Sequence, residues 1–156
     1  MAPGDGSGQL AVRTSTGALA RVNPPMGPVE GAQVLTVRQL QDLDEVIAEA
    51  EQASGLRFAA YLGDLGPDTR SRAEELLASL GTDAPYTVLL ALSPAQRTVE
   101  VATGTEASLR ISDRGARVAV LSVVAACGDG DIAGALTSGI RILADQAGTV
   151  PDRSFW

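Results

Sequence analysis

Seven consecutive residues, Tyr86–Leu92, are apolar or β-branched. A strand wetted on one face alternates apolar and polar residues, and this run does not. It predicts a strand in the middle of a sheet with both faces covered. Ser93–Arg97 is polar and holds Pro94, which cannot donate to a strand ladder, so the chain is expected to turn there. Thr98–Ala102 then alternates Val99 and Val101 against Thr98 and Glu100, the pattern of a half-exposed partner strand. A sheet with a doubly covered strand needs helices on its faces, and the rest of the chain supplies their signatures.

Thr36 and Gln39 have the spacing of a capping box. Val37, Leu40, Leu43, Ile47 and Ala50 follow at helical intervals, and Gly55 is placed to end the helix in a left-handed cap. Leu56–Leu62 reads as a core strand anchored by Phe58 and Tyr61, and residues 63–67 as a loop. Asp68 is a good N-cap for a helix over Thr69–Leu80, with Ala73, Leu76, Leu77 and Leu80 buried and Gly81 stopping it. Ser112 caps a third helix, Asp113–Ala126, apolar nearly all round and so expected to be buried against the sheet. A fourth helix from about Asp131 to Ala147 turns Ile132, Leu136, Ile140 and Leu143 inward, and Gly148 ends it.

Upstream, Leu10–Arg13 and Ala18–Val22 are candidate strands around a turn at Thr14–Gly17. Residues 1–8 read as disordered, and Asn23–Pro28 as a stiff proline-rich connector. The expected organisation is a flexible N-terminus with a short hairpin and connector over 1–33, an α/β domain over 34–148, and a tail over 149–156. The fold class is α/β (α+β), a mixed central sheet flanked by about four helices, in the order α-β-α-β-β-α-α after the N-terminal hairpin. Phe155 and the only Trp, Trp156, give the tail an apolar end suited to docking on the domain or on a partner.

Absences limit the chemistry. The 156 residues contain no His, and all 12 basic residues are Arg. Ser-His-Asp and Cys-His catalysis and His-ligated zinc are therefore excluded within this chain. A Walker lysine and a Schiff base are excluded as well. Any metal would be a hard cation held by oxygen, calcium or magnesium. The net charge of −7 argues against nucleic acid as a partner. Cys127, the one cysteine, lies in an apolar run and reads as an inert buried thiol. The longest apolar run, Val118–Cys127, is too short to insert in a membrane. Met1–Gly8 has no apolar core, so a cytoplasmic location is expected. Arg-only basic usage with abundant Ala and Gly points to a GC-rich bacterial genome.

Several segments together resemble the TPM domain family, named for a photosystem II repair protein, a related assembly factor and a nematode receptor auxiliary protein. They are Asp83 before the apolar strand, Thr98–Glu106, Ser112–Gly115 opening a helix, and Gly128–Gly134 opening another. The similarity spans about residues 34–148. Tyr61–Gly66 and Ala144–Gly148 are similar to an uncharacterised actinobacterial branch. Asp83 is followed by Ala84 and Pro85 where the family has Asn-Gly. The family's Gly-Tyr-Gly-Leu-Glu loop is here Ala102-Thr103-Gly104-Thr105-Glu106.

The resemblance implies an α/β fold, and some relatives bind calcium and have acid phosphatase activity. On that topology Asp83, Glu106, Asp113, Asp129 and Asp131 fall at element ends, where several could meet at one sheet edge and hold calcium or magnesium. The same carboxylates also suit helix N-termini, the commoner use. Gly104 and Thr105 could cradle a phosphate or simply turn the chain. Arg110, Arg114 and Arg117 could hold an anion or form a solvated face. The expected function is a non-catalytic module that binds an unknown protein partner or a divalent cation. The alternative is a divalent-cation-dependent phosphatase acting on phosphomonoesters.

Overall fold

The computed structural model describes the backbone of residues 9–13 and 19–21 and the whole of residues 35–149. The sequence expectations for residues 1–8, the 14–17 turn, the 23–28 connector and the Phe155–Trp156 end lie outside the described residues.

Five strands, β1 (Gln9–Arg13), β2 (Leu19–Arg21), β3 (Arg57–Leu62), β4 (Thr87–Ser93) and β5 (Thr98–Thr103), form one sheet in the order β2-β1-β3-β4-β5. Four helices accompany them: α1 (Val37–Ser54), α2 (Thr69–Ala78), α3 (Asp113–Gly128) and α4 (Ile132–Ala147). The order from α1 onward is the expected α-β-α-β-β-α-α. β3 and β4 are parallel, with Phe58 opposite Val88, and α2 makes the crossover between them. The other pairings are antiparallel, so the sheet is mixed. The N-terminal hairpin is part of this sheet, because β1 pairs with β3 from Gln9 opposite Leu62 to Val12 opposite Ala59.

All seven residues of β4 are buried. Val88, Leu90 and Leu92 face a layer made of α1, α3 and α4, where they meet Ile47, Leu136, Ile140 and Leu143. Leu89 and Ala91 face α2, where Tyr61, Ala73, Leu76 and Leu77 close a smaller core. Each large apolar side chain withdrawn from water in this way contributes about 1.5–3 kcal/mol. The run starts one residue later than its composition suggests. Tyr86 closes a 3-10 turn, Gly81–Tyr86, that contains Pro85, and its side chain is exposed.

Helix starts follow the local chemistry. The Gln39 N–H donates to Thr36 Oγ1 at 3.1 Å and the Thr36 N–H to Gln39 Oε1 at 2.9 Å, a complete capping box. Asp68 caps α2 by accepting from the N–H and hydroxyl of Ser71, bonds that hold its carboxyl below the ordinary carboxylate range. Ser112 and Asp131 cap α3 and α4. Gly55 ends α1 at φ 80°, a conformation that penalises other residues. Two edge features tie α2 down: Arg70 Nη1 donates to the Val101 carbonyl at 2.6 Å, and Thr69 Oγ1 donates to Glu100 at 2.7 Å.

Two expectations are corrected. Val37 opens α1 but lies exposed, since the helix turns its Leu43–Ile47–Ala50 face to the sheet. α3 is not buried all round. Gly115, Ala119 and Val123 are its only buried residues, whereas Val118, Leu121 and Val124 are 45%, 64% and 49% exposed. The reason is position: α3 lies on the flank, packed on α4 and on the edge strand β5, and no other element among the described residues covers its outer side.

Gly104, just past β5, is fixed by close approach. A Cβ there would overlap the Ala84 carbonyl oxygen and the backbone of Pro85. Its N–H donates to the Thr87 carbonyl at 2.9 Å, so the loop has nowhere to retreat. Gly104→Ala is expected to cost about 3 kcal/mol, as overpacking against backbone does. The midpoint of thermal unfolding should fall by roughly 10 °C. An unchanged Tm would contradict this account of the loop.

Candidate functional site

Ligands of open α/β sheets bind outside the carboxyl ends of the parallel strands. Here that edge is built by the loop after β3, the turn after β4, the end of α3 and the start of α4. The Gly63 N–H donates to the Leu92 carbonyl at 3.0 Å, and the Tyr61 hydroxyl to the Asp64 carbonyl at 2.8 Å. Leu65 plugs the smaller core. Gln96, in the turn between β4 and β5, completes the clasp. Its Oε1 accepts from the Leu65 N–H and its Nε2 donates to the Gly66 carbonyl, both at 2.7 Å. One side-chain amide thus pairs with the loop as a strand backbone would. This residue carries no motif, and its partners lie about 30 positions away.

The same turn holds Arg97 at φ 53°, the one described non-glycine residue in the left-handed region. That conformation costs a non-glycine residue about 1–2 kcal/mol. It places Arg97 on the lip of a cleft of about 450 Å³. Leu92, Val99, Val124 and Ile132 line its apolar walls, and Pro94 and Cys127 complete it. Cys127 is half-buried rather than fully buried. Burial pushes its thiol up, and the Asp131 carboxylate adds to the effect. The thiol therefore stays protonated near neutral pH and is a weak nucleophile. What the cleft offers is a mixed surface, apolar side chains with a comparable share of polar atoms, and one cation at its edge. It contains no acid–base pair.

The five carboxylates expected to meet at one edge divide between two. Asp113 and Asp129 lie at opposite ends of the 16-residue α3, which at 1.5 Å per residue is about 24 Å long. Asp83 and Glu106 belong with Asp113: Asp83 lies in the 3-10 turn before β4, and the Glu106 N–H donates to the Pro85 carbonyl. Asp129 and Asp131 lie beside the cleft. Asp131 caps α4 through the Gly134 N–H at 2.9 Å, and Asp129 is the C-terminal cap of α3 rather than an N-cap. Among the described residues no group of three or more Cys, Asp or Glu is close enough to hold a metal ion.

Two amides of the glycine loop, those of Gly104 and Glu106, already donate to backbone carbonyls and so do not face a phosphate. The arginines also part. Arg110 donates to the carbonyls of Ala147, Gly148 and Thr149 and so closes the end of α4. Arg114 and Arg117 are exposed on α3, with no ion pair among the described residues.

The fold defines a small three-layer α/β module with a cleft at its sheet edge. The chain belongs to the family described as Domain of unknown function (DUF5130), whose model matches residues 8–144. Two uncharacterized proteins from two strains of Mycobacterium tuberculosis are 35% identical over 140 residues, covering 90% of this chain and 81% of theirs. Among solved structures, the BA42 protein of the psychrophilic bacterium Bizionia argentinensis is similar at a TM-score of 0.66 and 15% identity, over 81% of this chain and 91% of that one. The N-terminal domain of a Corynebacterium glutamicum protein is similar at 0.62 and 15%, over 77% and 78%. At such identity these structures establish shared fold alone. No helix among the described residues is long and apolar enough to cross a membrane.

Two measurements check the site. Gln96→Ala leaves the Leu65 N–H and Gly66 carbonyl unpaired and should cost about 1–3 kcal/mol. It should also raise amide exchange in residues 63–66, and unchanged exchange would contradict the clasp. Alkylation of Cys127 should show a pH midpoint above that of an ordinary thiol, because folding favours the protonated form. Asp131→Asn should bring the midpoint down, and no movement would remove the carboxylate from the account.

Proposed function

We propose that this chain is a non-catalytic cytoplasmic binding module that holds an apolar segment of a protein partner in the cleft beside Arg97. The observation that carries the reading is the combination of apolar walls, a single strained cation at the lip and a thiol kept protonated. Such a surface suits an apolar side chain next to a carboxylate, with the guanidinium pairing the acid. The competing reading is a TPM-like, calcium- or magnesium-dependent phosphatase. Separation of the five carboxylates between two edges weighs against it.

The test is selection of displayed random peptides on the whole chain. Peptides with an apolar residue beside Asp or Glu should be enriched, and Arg97→Glu and Val99→Glu should each weaken their binding at least tenfold, about 1.4 kcal/mol. Enrichment that ignores both substitutions would sink the cleft as the site. A calcium titration followed by amide shifts, with a phosphomonoester assay, covers the alternative. Shifts at residues 129–131 with turnover lost in Asp129→Ala would replace the binding module with the phosphatase.

A further inference from the structure

Arg110 fixes where the chain leaves the last helix. It caps the 3-10 turn Ala107–Leu109, and its Nη2 donates to the Ala147, Gly148 and Thr149 carbonyls at 2.9, 3.4 and 3.2 Å. Thr149 lies beyond the end of α4, so this contact does more than close the helix. It roots the seven residues that follow, 150–156, beside Leu109.

The sheet edge is uncovered where that segment emerges. Leu109 is 79% exposed and Tyr86 is 52% exposed. A short run of bonds joins the two. The Leu109 N–H donates to the Glu106 carbonyl, and the Glu106 N–H donates at 2.8 Å to the carbonyl of Pro85, the residue before Tyr86. Seven extended residues span about 23–25 Å. The path from Thr149 past Arg110 and Leu109 to Tyr86 crosses one arginine side chain, one 3-10 turn and one backbone hydrogen bond, within that reach.

The chemistry of the segment matches the edge. The chain has five aromatic residues, of which Phe58 and Tyr61 are fully buried in the core. Tyr86 is left at the surface, and Phe155 and Trp156 are the other two. Aromatic rings attract one another beyond the area they bury. Charge points the same way. Asp83, Glu106, Asp113 and Asp145 all lie at this edge, and none has an ion pair among the described residues. Arg110 is bound to carbonyls and Arg57 is paired with Glu51, which leaves Arg114 as the cation without a partner there among the described residues. The segment carries Arg153 for the carboxylates and Asp152 for Arg114.

We propose that residues 150–156 fold back from Thr149 across this edge and seat Phe155 and Trp156 on Leu109 and Tyr86, with Arg153 beside Glu106. The tether makes the contact intramolecular, at an effective concentration on the order of 1 mM, so a few side chains suffice to hold it. The segment then covers the end of the sheet opposite the cleft. The proposal goes beyond the cleft reading and does not depend on it, since Tyr86, Glu106 and Leu109 do not line the cleft.

The experiment uses the full chain and its single tryptophan, Trp156. Acrylamide should quench Trp156 weakly, and to the same extent from about 5 to about 500 µM protein, as an intramolecular contact requires. Leu109→Asp, at a site exposed enough to leave folding intact, should raise the quenching constant roughly twofold as the segment is released. Glu106→Arg should raise it in part, and Glu106→Arg with Arg153→Glu should lower it again. Amide shifts caused by Trp156→Ser should fall at residues 84–86 and 105–110. Shifts confined to the neighbours of 156, or centred on residues 118–124 or on the cleft, overturn the proposal. So does quenching that Leu109→Asp leaves unchanged. Protection that grows with concentration would seat the segment on a second copy and also overturns it. Peptide selection on the cleft is unaffected by any of these results.

Discussion

Complete withdrawal of β4 from water is the constraint on which the rest depends. A strand with seven buried residues cannot sit at a sheet edge or beneath one layer. β3 and β5 must take its two sides, and helices must cover both of its faces. The β3–α2–β4 crossover meets part of that demand, because it puts α2 on one face while α1 and α4 cover the other. The second face then carries three helices over a narrow sheet, which leaves the outermost of them, α3, half uncovered. The exposed stripe on α3 is thus a geometric consequence of burying β4.

Local signals in the sequence were enough for the helices and strands and for most of their ends, although α2 stops at Ala78, short of the expected Leu80, and a 3-10 turn follows it. Thr36 with Gln39, Asp68 and Ser112 act on groups within three or four residues, and Gly55 and Gly148 set the backbone at a single position. Signals of that range survive in a linear reading. What escaped it is interaction at long separation. The Gln96 clasp joins a turn to a loop some 30 residues away. Docking of the N-terminal hairpin onto β3 is of the same kind. The face of α3 depends on which neighbours happen to cover it, and an apolar helix looks the same in sequence whether it has one partner layer or two.

The candidate site was legible only in part. Each expected carboxylate does fall at an element end, but element ends point to two edges, and sequence spacing does not say which. Asp113 and Asp129 make the point, since one helix that joins them in sequence also separates them by its length. The cleft itself is assembled from β4, β5, α3 and α4, and its most informative residue, Arg97, is marked only by a backbone angle. Its chemistry is consistent with a chain that has no His or Lys. Shape and apolar surface, with one guanidinium, are what it has to work with.

The bond from Arg70 to the Val101 carbonyl has a meaning beyond the anchoring of α2. β5 is the rim of the sheet, and an open rim is a template on which another chain can add a strand and begin a fibre. The guanidinium occupies an acceptor that such a strand would need, and it is held there by an ion pair with the Glu100 carboxylate at 3.7 Å. Growth by strand addition along that border is thereby obstructed.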